Sequence, residues 1–248
     1  MKASASPVGS RAKIDRVPKS VVITGSSRGI GYGMASAFVD RGCSVVVGGR
    51  SQAATDHAVV TLIEGHDMPE RVLGQPCDVR IYSQVERLWD AACQRFGHVD
   101  IWINNAGLGT EQRRLWTHPE EELAAVVDTN VIGTLYGCRI AVDRMREQGF
   151  GAVYNMEGLG SNGRRVEGLT LYGTTKRAIR YLTEGLVEET KGSPVLMGAL
   201  SPGMVTTDFL LDRYDHDTEA WERAKRILNI LADRVATVAP WLVDKVLA

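Results

Sequence analysis

The chain has 248 residues, 44% hydrophobic and 24% charged, proportions that set aside disordered, collagen-like and coiled-coil architectures. Lys+Arg 29 against Asp+Glu 30 gives a net charge of -1, without the basic face that a polyanion needs, so nucleic acid is not expected as a partner. Apolar runs such as Val45-Val46-Val47 fall far short of the ~20 residues of a membrane-spanning helix, so no transmembrane segment is expected.

Residues 1–19 carry Lys2, Arg11, Lys13, Arg16 and Lys19 against Asp15, with several serines and no apolar core. They read as a flexible N-terminal arm, the alternative being the remnant of a transit peptide. From residue 20 the pattern alternates short β-branched runs with longer amphipathic stretches, as parallel β-α-β units do. Val21–Thr24 reads as the first strand. A helix follows, with Ile30, Met34, Ala37 and Phe38 on one face. Ser44–Gly48 is a second strand, and a helix starts near Ser51. Val72–Cys77 makes a third strand, ending in Asp78, and Ser83–Phe96 a helix with Val85, Leu88, Trp89 and Ala92 inside. Val99–Ile103 is the fourth strand, stopping at Asn104-Asn105-Ala106-Gly107. Two helical stretches, Pro119–Asp128 and Val131–Glu147, precede a fifth strand at Ala152–Met156. A helix over Thr174–Thr190, a sixth strand at Val195–Leu200 and a last helix at Val235–Leu247 complete the order.

Neither a linker nor a fixed-period repeat interrupts residues 20–248, so one domain is expected. Strands buried on both faces explain apolar runs without alternation. Right-handed crossovers then give an α/β, Rossmann-like, doubly wound parallel sheet of six strands in the order 3-2-1-4-5-6, with ligands beyond the carboxyl ends. The four scattered cysteines (Cys43, Cys77, Cys93, Cys138) lack any Cys-x-x-Cys, which argues for buried thiols, a reducing compartment such as the cytoplasm and no metal site.

Directly after the first strand stands Thr24-Gly25-Ser26-Ser27-Arg28-Gly29-Ile30-Gly31. Gly25 permits a sharp turn, Gly29 lets a pyrophosphate approach the backbone, and Gly31 allows close helix-on-strand packing. The start of the helix supplies free N–H groups and the positive end of its dipole. Between a strand and a helix, this loop points to a dinucleotide. An NAD site would carry a carboxylate about twenty residues on, at the end of the second strand. Here that end reads Gly48-Gly49-Arg50-Ser51. Arg50, helped by Arg28 and Ser51, suits a 2′-phosphate in forked geometry, favouring NADPH/NADP over NAD. Asp78 is a candidate for the adenine, or else a helix cap.

Tyr172 and Lys176 stand at i and i+4 on one helical face. A tyrosine is a proton donor at neutral pH that leaves a costly phenolate. A lysine charge at ~4 Å and effective dielectric ~20 stabilises it by up to about 4 kcal/mol. The pair therefore suits the reduction of a carbonyl, in which hydride reaches carbon and the phenol protonates oxygen.

The loop, Asn104–Gly107, Asn130 in Asp128-Thr129-Asn130-Val131, Tyr172/Lys176 and Ser201-Pro202-Gly203 together resemble the short-chain dehydrogenase/reductase family over residues 20 to 210. The resemblance implies an NAD(P)-dependent oxidoreductase acting on CH-OH/C=O, working as a homo-oligomer, dimer or tetramer. It makes Tyr172 the acid/base, sets Lys176 on the nicotinamide ribose and gives Asn130 a proton-relay water. Ser27, Arg28, Ile30, Val79 and Asn105–Gly107 (with Ala106) belong to the cofactor site, and Pro202, Gly203 and Thr206 lie against the nicotinamide.

The catalytic serine that the family carries about a dozen residues before the tyrosine falls here on Gly158-Leu159-Gly160. The nearest hydroxyl is Ser161. Glu157 is a second candidate there, as a substrate-positioning group or as a solvated loop acid. The stretches Asn155–Gly163, Ile101–Gly107, Ala199–Thr207 and Arg226–Trp241 further resemble the chlorophyll(ide) b reductase branch, which reduces a 7-formyl group with NADPH. On that resemblance the partner is a pigment or another small molecule. Met204 and Phe209 join Glu157 on the substrate side, under a cover at 207–231, and the plastid stroma is the alternative compartment. Asp215-His216-Asp217 reads as a solvated turn, the alternative being an axial role for His216 toward a magnesium carried by the pigment. Another ketone or alcohol substrate (a 3-oxoacyl thioester, a steroid or a sugar) and a non-catalytic NADP sensor are the competing readings. The family's seventh strand is not expected, which leaves an edge exposed or covered by a partner.

Overall fold

A computed structural model describes residues 18–206 and 232–248. The 207–231 cover, Phe209, His216 and most of the N-terminal arm lie outside the described residues. Six parallel strands form the main sheet: β1 (Ser20–Ile23), β2 (Ser44–Gly49), β3 (Val72–Pro76), β4 (Ile101–Asn104), β5 (Gly151–Met156) and β6 (Val195–Leu200). Their order is β3-β2-β1-β4-β5-β6, as the alternation of the sequence predicts. The registers are uninterrupted, with Val22 level with Val46 and Trp102, and Met156 level with Leu200.

Two apolar layers sandwich the sheet. On one face α1 (Gly29–Asp40) and α2 (Gln52–His66) pack with α7 (Val235–Leu247), burying Phe38, Met34, Leu62 and Leu242. Gly33 lets α1 meet α7, since a Cβ there would lie 2.4 Å from Val235 Cγ1. On the other face α3 (Tyr82–Phe96) and α5 (Gly133–Gln148) bury Leu88, Trp89, Trp102 and Met145. Helix α6 (Thr170–Glu189) packs beside β5 and β6.

Three departures from the sequence reading carry consequences. The helices expected at 119–128 and 131–147 form one run, in which α4 (Glu120–Val127) passes through a π-helical turn, Asp128–Ile132, into α5. The extra residue in that turn breaks the 3.6-residue period, which is why the pattern reads as two helices. Helix α6 starts at Thr170, four residues earlier than expected, so Tyr172 and Lys176 occupy its first two turns. A second, two-stranded parallel sheet pairs β7 (Val205–Thr206) with β8 (Asp233–Arg234), and Asp233 N–H donates to Met204 O at 2.9 Å. Among the described residues no helix is long and apolar enough to cross a membrane.

Candidate active site

The carboxyl ends of β1, β4, β5 and β6 meet in one region, and each sends a polar loop into it. After β1, Gly25 adopts φ +63, and a Cβ on it would lie 2.7 Å from Ala106 Cα, so the β1 and β4 exits touch backbone to backbone. Thr24 Oγ1 accepts from Asn105 N–H (3.0 Å) and Ala106 N–H (3.1 Å). Asn105 Nδ2 donates to the Thr24 and Gly25 carbonyls, both at 2.9 Å. Ser26 Oγ donates to Ile23 O at 2.6 Å and accepts from Gly48 N–H at 3.0 Å. Gly31 is required where it stands, because a Cβ would fall 2.6 Å from Gly25 O. Gly29 sits at φ +60, and the preceding Arg28 is exposed and gives the start of α1 no side-chain cap. Ile30 packs against the core beneath. The result is a rigid loop whose own polar groups are satisfied by β2 and β4, above a helix end with unfilled N–H groups. That is the cradle a pyrophosphate fits.

At the exit of β2, a Cβ on Gly49 would lie 2.9 Å from Ser27 Oγ, which places Ser27 beside this end. Arg50 is exposed, and Ser51 caps α2 by accepting from Ala54 N–H at 3.4 Å. No acid follows Gly49 before the helix. Asp78 does not cap α3, whose N-cap is Ile81 with no side-chain hydrogen bond. Its Oδ1 accepts from Arg80 N–H at 3.0 Å, and its carboxylate takes the Arg80 guanidinium through both oxygens. These bonds to Arg80 hold its pKa below the ordinary carboxylate range, and the charge of Arg50 adds to the effect. Val79 is buried against Gly133, where a Cβ would come within 2.6 Å of Val79 Cγ2.

Tyr172 and Lys176 are both 5% exposed on the face of α6 that looks toward β5. Lys176 Nζ donates to Met156 O at 3.0 Å and lies 5.8 Å from the Tyr172 ring centroid. Gly158 faces the phenol: a Cβ there would sit 2.5 Å from Tyr172 Oη. The position nearest the phenol on this loop thus presents bare backbone where a serine would have a hydroxyl. Ser161 is buried and donates instead to Glu157 Oε2 at 3.3 Å. Asn130 sits in the π-helical turn, 1% exposed. Its Oδ1 accepts from Leu108 N–H (2.7 Å), and its Nδ2 donates to Leu108 O (3.0 Å) and Thr175 Oγ1 (3.0 Å). The amide protons are thereby used in tying the β4 exit to α6. Gly107 lies alongside, its would-be Cβ 3.3 Å from Asn130 Oδ1 and 3.9 Å from Lys176 Nζ.

After β6, Pro202 is half-buried, Gly203 turns at φ +74, and Met204 and Thr206 are exposed. The sequence reading passed over four groups that hold this region together: Thr24, Thr175, Ser201 and Arg180. Ser201 Oγ donates to Glu157 Oε2, and Arg180 Nη1 lies 3.7 Å from Glu157 Oε1. Thr24 and Ser201 carried a local signal, as the first residues of the glycine loop and of Ser201-Pro202-Gly203; Thr175 and Arg180 carried none.

A phenol beside an ammonium, with a phosphate cradle two strands away, can bind a dinucleotide and deliver a proton to a carbonyl oxygen. The family model for short chain dehydrogenase matches residues 19–218. Chlorophyll(ide) b reductase NOL, chloroplastic, of Oryza sativa subsp. japonica is 38% identical over 236 residues, 93% of this chain and 67% of that protein. The probable chlorophyll(ide) b reductase NYC1, chloroplastic, of Arabidopsis thaliana is 34% identical over 92% of this chain. The chain spans about half the length of that second relative. Among solved structures, levodione reductase superposes with a TM-score of 0.85 at 24% identity, over 94% of this chain and 92% of its own. The 3-ketoacyl-(acyl-carrier-protein) reductase of Brucella melitensis, complexed with NADH, gives a TM-score of 0.78 at 25% identity, over 89% and 87%. The chain is therefore a member of the short-chain dehydrogenase/reductase family, an NAD(P)-dependent oxidoreductase.

Proposed function

We propose that the protein reduces the 7-formyl group of chlorophyll(ide) b to a hydroxymethyl group with NADPH. The observation that carries the chemistry is Tyr172 Oη against the bare backbone of Gly158, with Lys176 one turn along the same helix. Glycine at 158 lets this loop pass close against the phenol, where a Cβ would lie only 2.5 Å from Tyr172 Oη. The resemblance to the NOL and NYC1 proteins, which extends over more than nine-tenths of this chain, supports this choice of substrate.

In this reading Gly25, Gly29 and Gly31 hold the pyrophosphate with the start of α1, and Asn105–Gly107 border the adenosine ribose. Arg50, with Arg28, Ser27 and Ser51, holds the 2′-phosphate, for which a forked guanidinium is suited. Asp78 and Val79 flank the adenine. Lys176 orients the nicotinamide ribose, and Pro202, Gly203 and Thr206 form the wall behind the ring. A bound dihydronicotinamide supplies hydride to the formyl carbon. Tyr172 gives its hydroxyl proton to the carbonyl oxygen, so that an alcohol leaves and a phenolate stays. Lys176 stabilises that phenolate until it is reprotonated. Asn130 holds Leu108 and Thr175 in place around this pair. Ser161, its proton engaged by Glu157, supports the loop, and Met204 lies on the substrate side. The plastid stroma is the matching compartment, since the NOL and NYC1 relatives are chloroplastic.

The test is NADPH oxidation with chlorophyllide b, followed through loss of the formyl absorption. Tyr172→Phe should lower kcat about 10²–10⁴-fold with little change in NADPH binding, the usual contribution of a positioned acid. Tyr172→Phe turning over at the wild-type rate would refute the mechanism. Activity on 3-oxoacyl thioesters without pigment turnover would move the substrate and leave the chemistry standing.

A further inference from the structure

Glu157 is a carboxylate only 8% exposed at the mouth of a strand whose previous residue, Met156, is core. Burying such a charge is unfavourable unless it is paired and hydrogen-bonded. Its Oε2 accepts from Ser161 Oγ at 3.3 Å and from Ser201 Oγ, and its Oε1 faces Arg180 Nη1 at 3.7 Å. The meeting with Ser201 is dictated by the sheet. Met156 is level with Leu200, and Glu157 N–H continues the ladder by donating to Leu200 O at 2.8 Å, so the next residues on the two strands stand side by side.

Three consecutive residues of the β5 exit meet three successive turns of one helical stripe on α6. Gly158 faces Tyr172 Oη, Met156 O accepts from Lys176 Nζ, and Glu157 faces Arg180. Tyr172, Lys176 and Arg180 are spaced four apart, so they share a face. Two of the three contacts involve the acid/base pair itself, and the third is the ion pair. One carboxylate thus gathers four segments: the β5 exit, the 158–163 loop through Ser161, the Ser201–Pro202–Gly203 turn and α6. A hydroxyl at this position has two lone pairs to accept with and could not bind three donors, whereas a carboxylate can.

We propose that Glu157 is a positioning residue of this site, setting the height of Tyr172 and Lys176 on α6 and of the Ser201–Gly203 turn against the reacting carbonyl. The inference rests on the reductase reading above. It gives the acid a task that needs no contact with substrate, and it accounts for an ordered site in a loop that has glycine at 158.

The experiment compares Glu157→Ala, Glu157→Gln and Arg180→Met with wild type, using chlorophyllide b and NADPH carrying either hydrogen or deuterium at the transferred position. Glu157→Ala should lower kcat about 30- to 100-fold, the range that a displacement near 1 Å produces, with the NADPH KM within about threefold. The isotope effect on kcat should rise as hydride transfer becomes limiting, a signature that mere loss of stability would not produce. Glu157→Gln should recover part of the loss, because its amide oxygen still accepts from the two hydroxyls. Arg180→Met, which removes only a half-exposed partner, should lower kcat about fivefold with the same isotope signature, and it decides the matter if thermal melting shows Glu157→Ala unfolded. Glu157→Gln and Arg180→Met both within twofold of wild type in kcat and isotope effect would overturn the positioning role while the reductase reading stood. A wild type inert toward the formyl pigment, simple aldehydes and 3-oxoacyl thioesters alike would overturn the reductase reading, and this inference with it.

Discussion

At Arg50 the proposed preference for NADPH turns on a single phosphate. The guanidinium is exposed at the end of β2, and no carboxylate stands between Gly49 and α2 to receive a ribose hydroxyl. Arg50→Asp should lower kcat/KM for NADPH about 10- to 100-fold and raise that for NADH, since a charged hydrogen bond worth ~1.5–3 kcal/mol is lost and a repulsion gained. Steady-state kinetics with the two cofactors at equal concentration check this; unchanged preference would remove Arg50 from the phosphate site. Tyr172 and Lys176 were legible because their partnership is local, four residues apart on one helix. The pairing of Glu157 with Ser201 was not, because the two meet only through the parallel register of β5 and β6. The bond from Ser161 to Glu157 was not legible either, since nothing in the sequence pairs that hydroxyl with the acid that takes its proton.

Between elements, the site stands on a buried polar network that links β4, β5, α5 and α6. Trp102 Nε1 donates to Asn104 Oδ1 (2.7 Å), Asn104 Nδ2 to Asn155 Oδ1 (2.8 Å), and Asn155 Nδ2 to Thr183 Oγ1 (2.9 Å). Cys138 closes the ring by donating to Asn155 Oδ1 at 3.3 Å, and burial pushes its thiol up to about 12. Gly137 makes room, since a Cβ there would lie 2.0 Å from Asn104 Oδ1. Gly137→Ala should therefore destabilise the fold by about 1–3 kcal/mol, although alanine is the better helix former. Gly185→Ala, in α6 with nothing within 4 Å of its would-be Cβ, should stabilise by up to about 1 kcal/mol. Urea midpoints of the two variants check the pair, and equal shifts of the same sign would show that the crowding at Gly137 is relieved by movement. Periodicity found every helix near this network and showed the π-helical turn only as a gap between two helices, since a one-residue insertion leaves no more than a local break in the pattern.

For the whole molecule, the order of the six strands was readable because each is buried on both faces and followed by an amphipathic helix, a rhythm that few architectures share. The β7–β8 pair was not, since two residues per strand are too few to show any alternation. The dinucleotide cradle draws on β1, β2 and β4 together, so occupancy should be felt globally. NADPH at 100 times its Kd should add about 2.7 kcal/mol to the unfolding free energy. Spread over a chain of this size, that is a rise of roughly 5–10 °C in Tm. Tyr172→Phe should retain the shift and Arg50→Asp should lose most of it, which differential scanning calorimetry would register.

Val205–Thr206 and Asp233–Arg234 run side by side, so whatever chain lies between them leaves and returns to the frame about one strand spacing, ~4.8 Å, apart. A connection of twice the length between these two strands would add only about 0.6 kcal/mol of closure entropy, so a change in its length bears little on the stability of the six-stranded sheet.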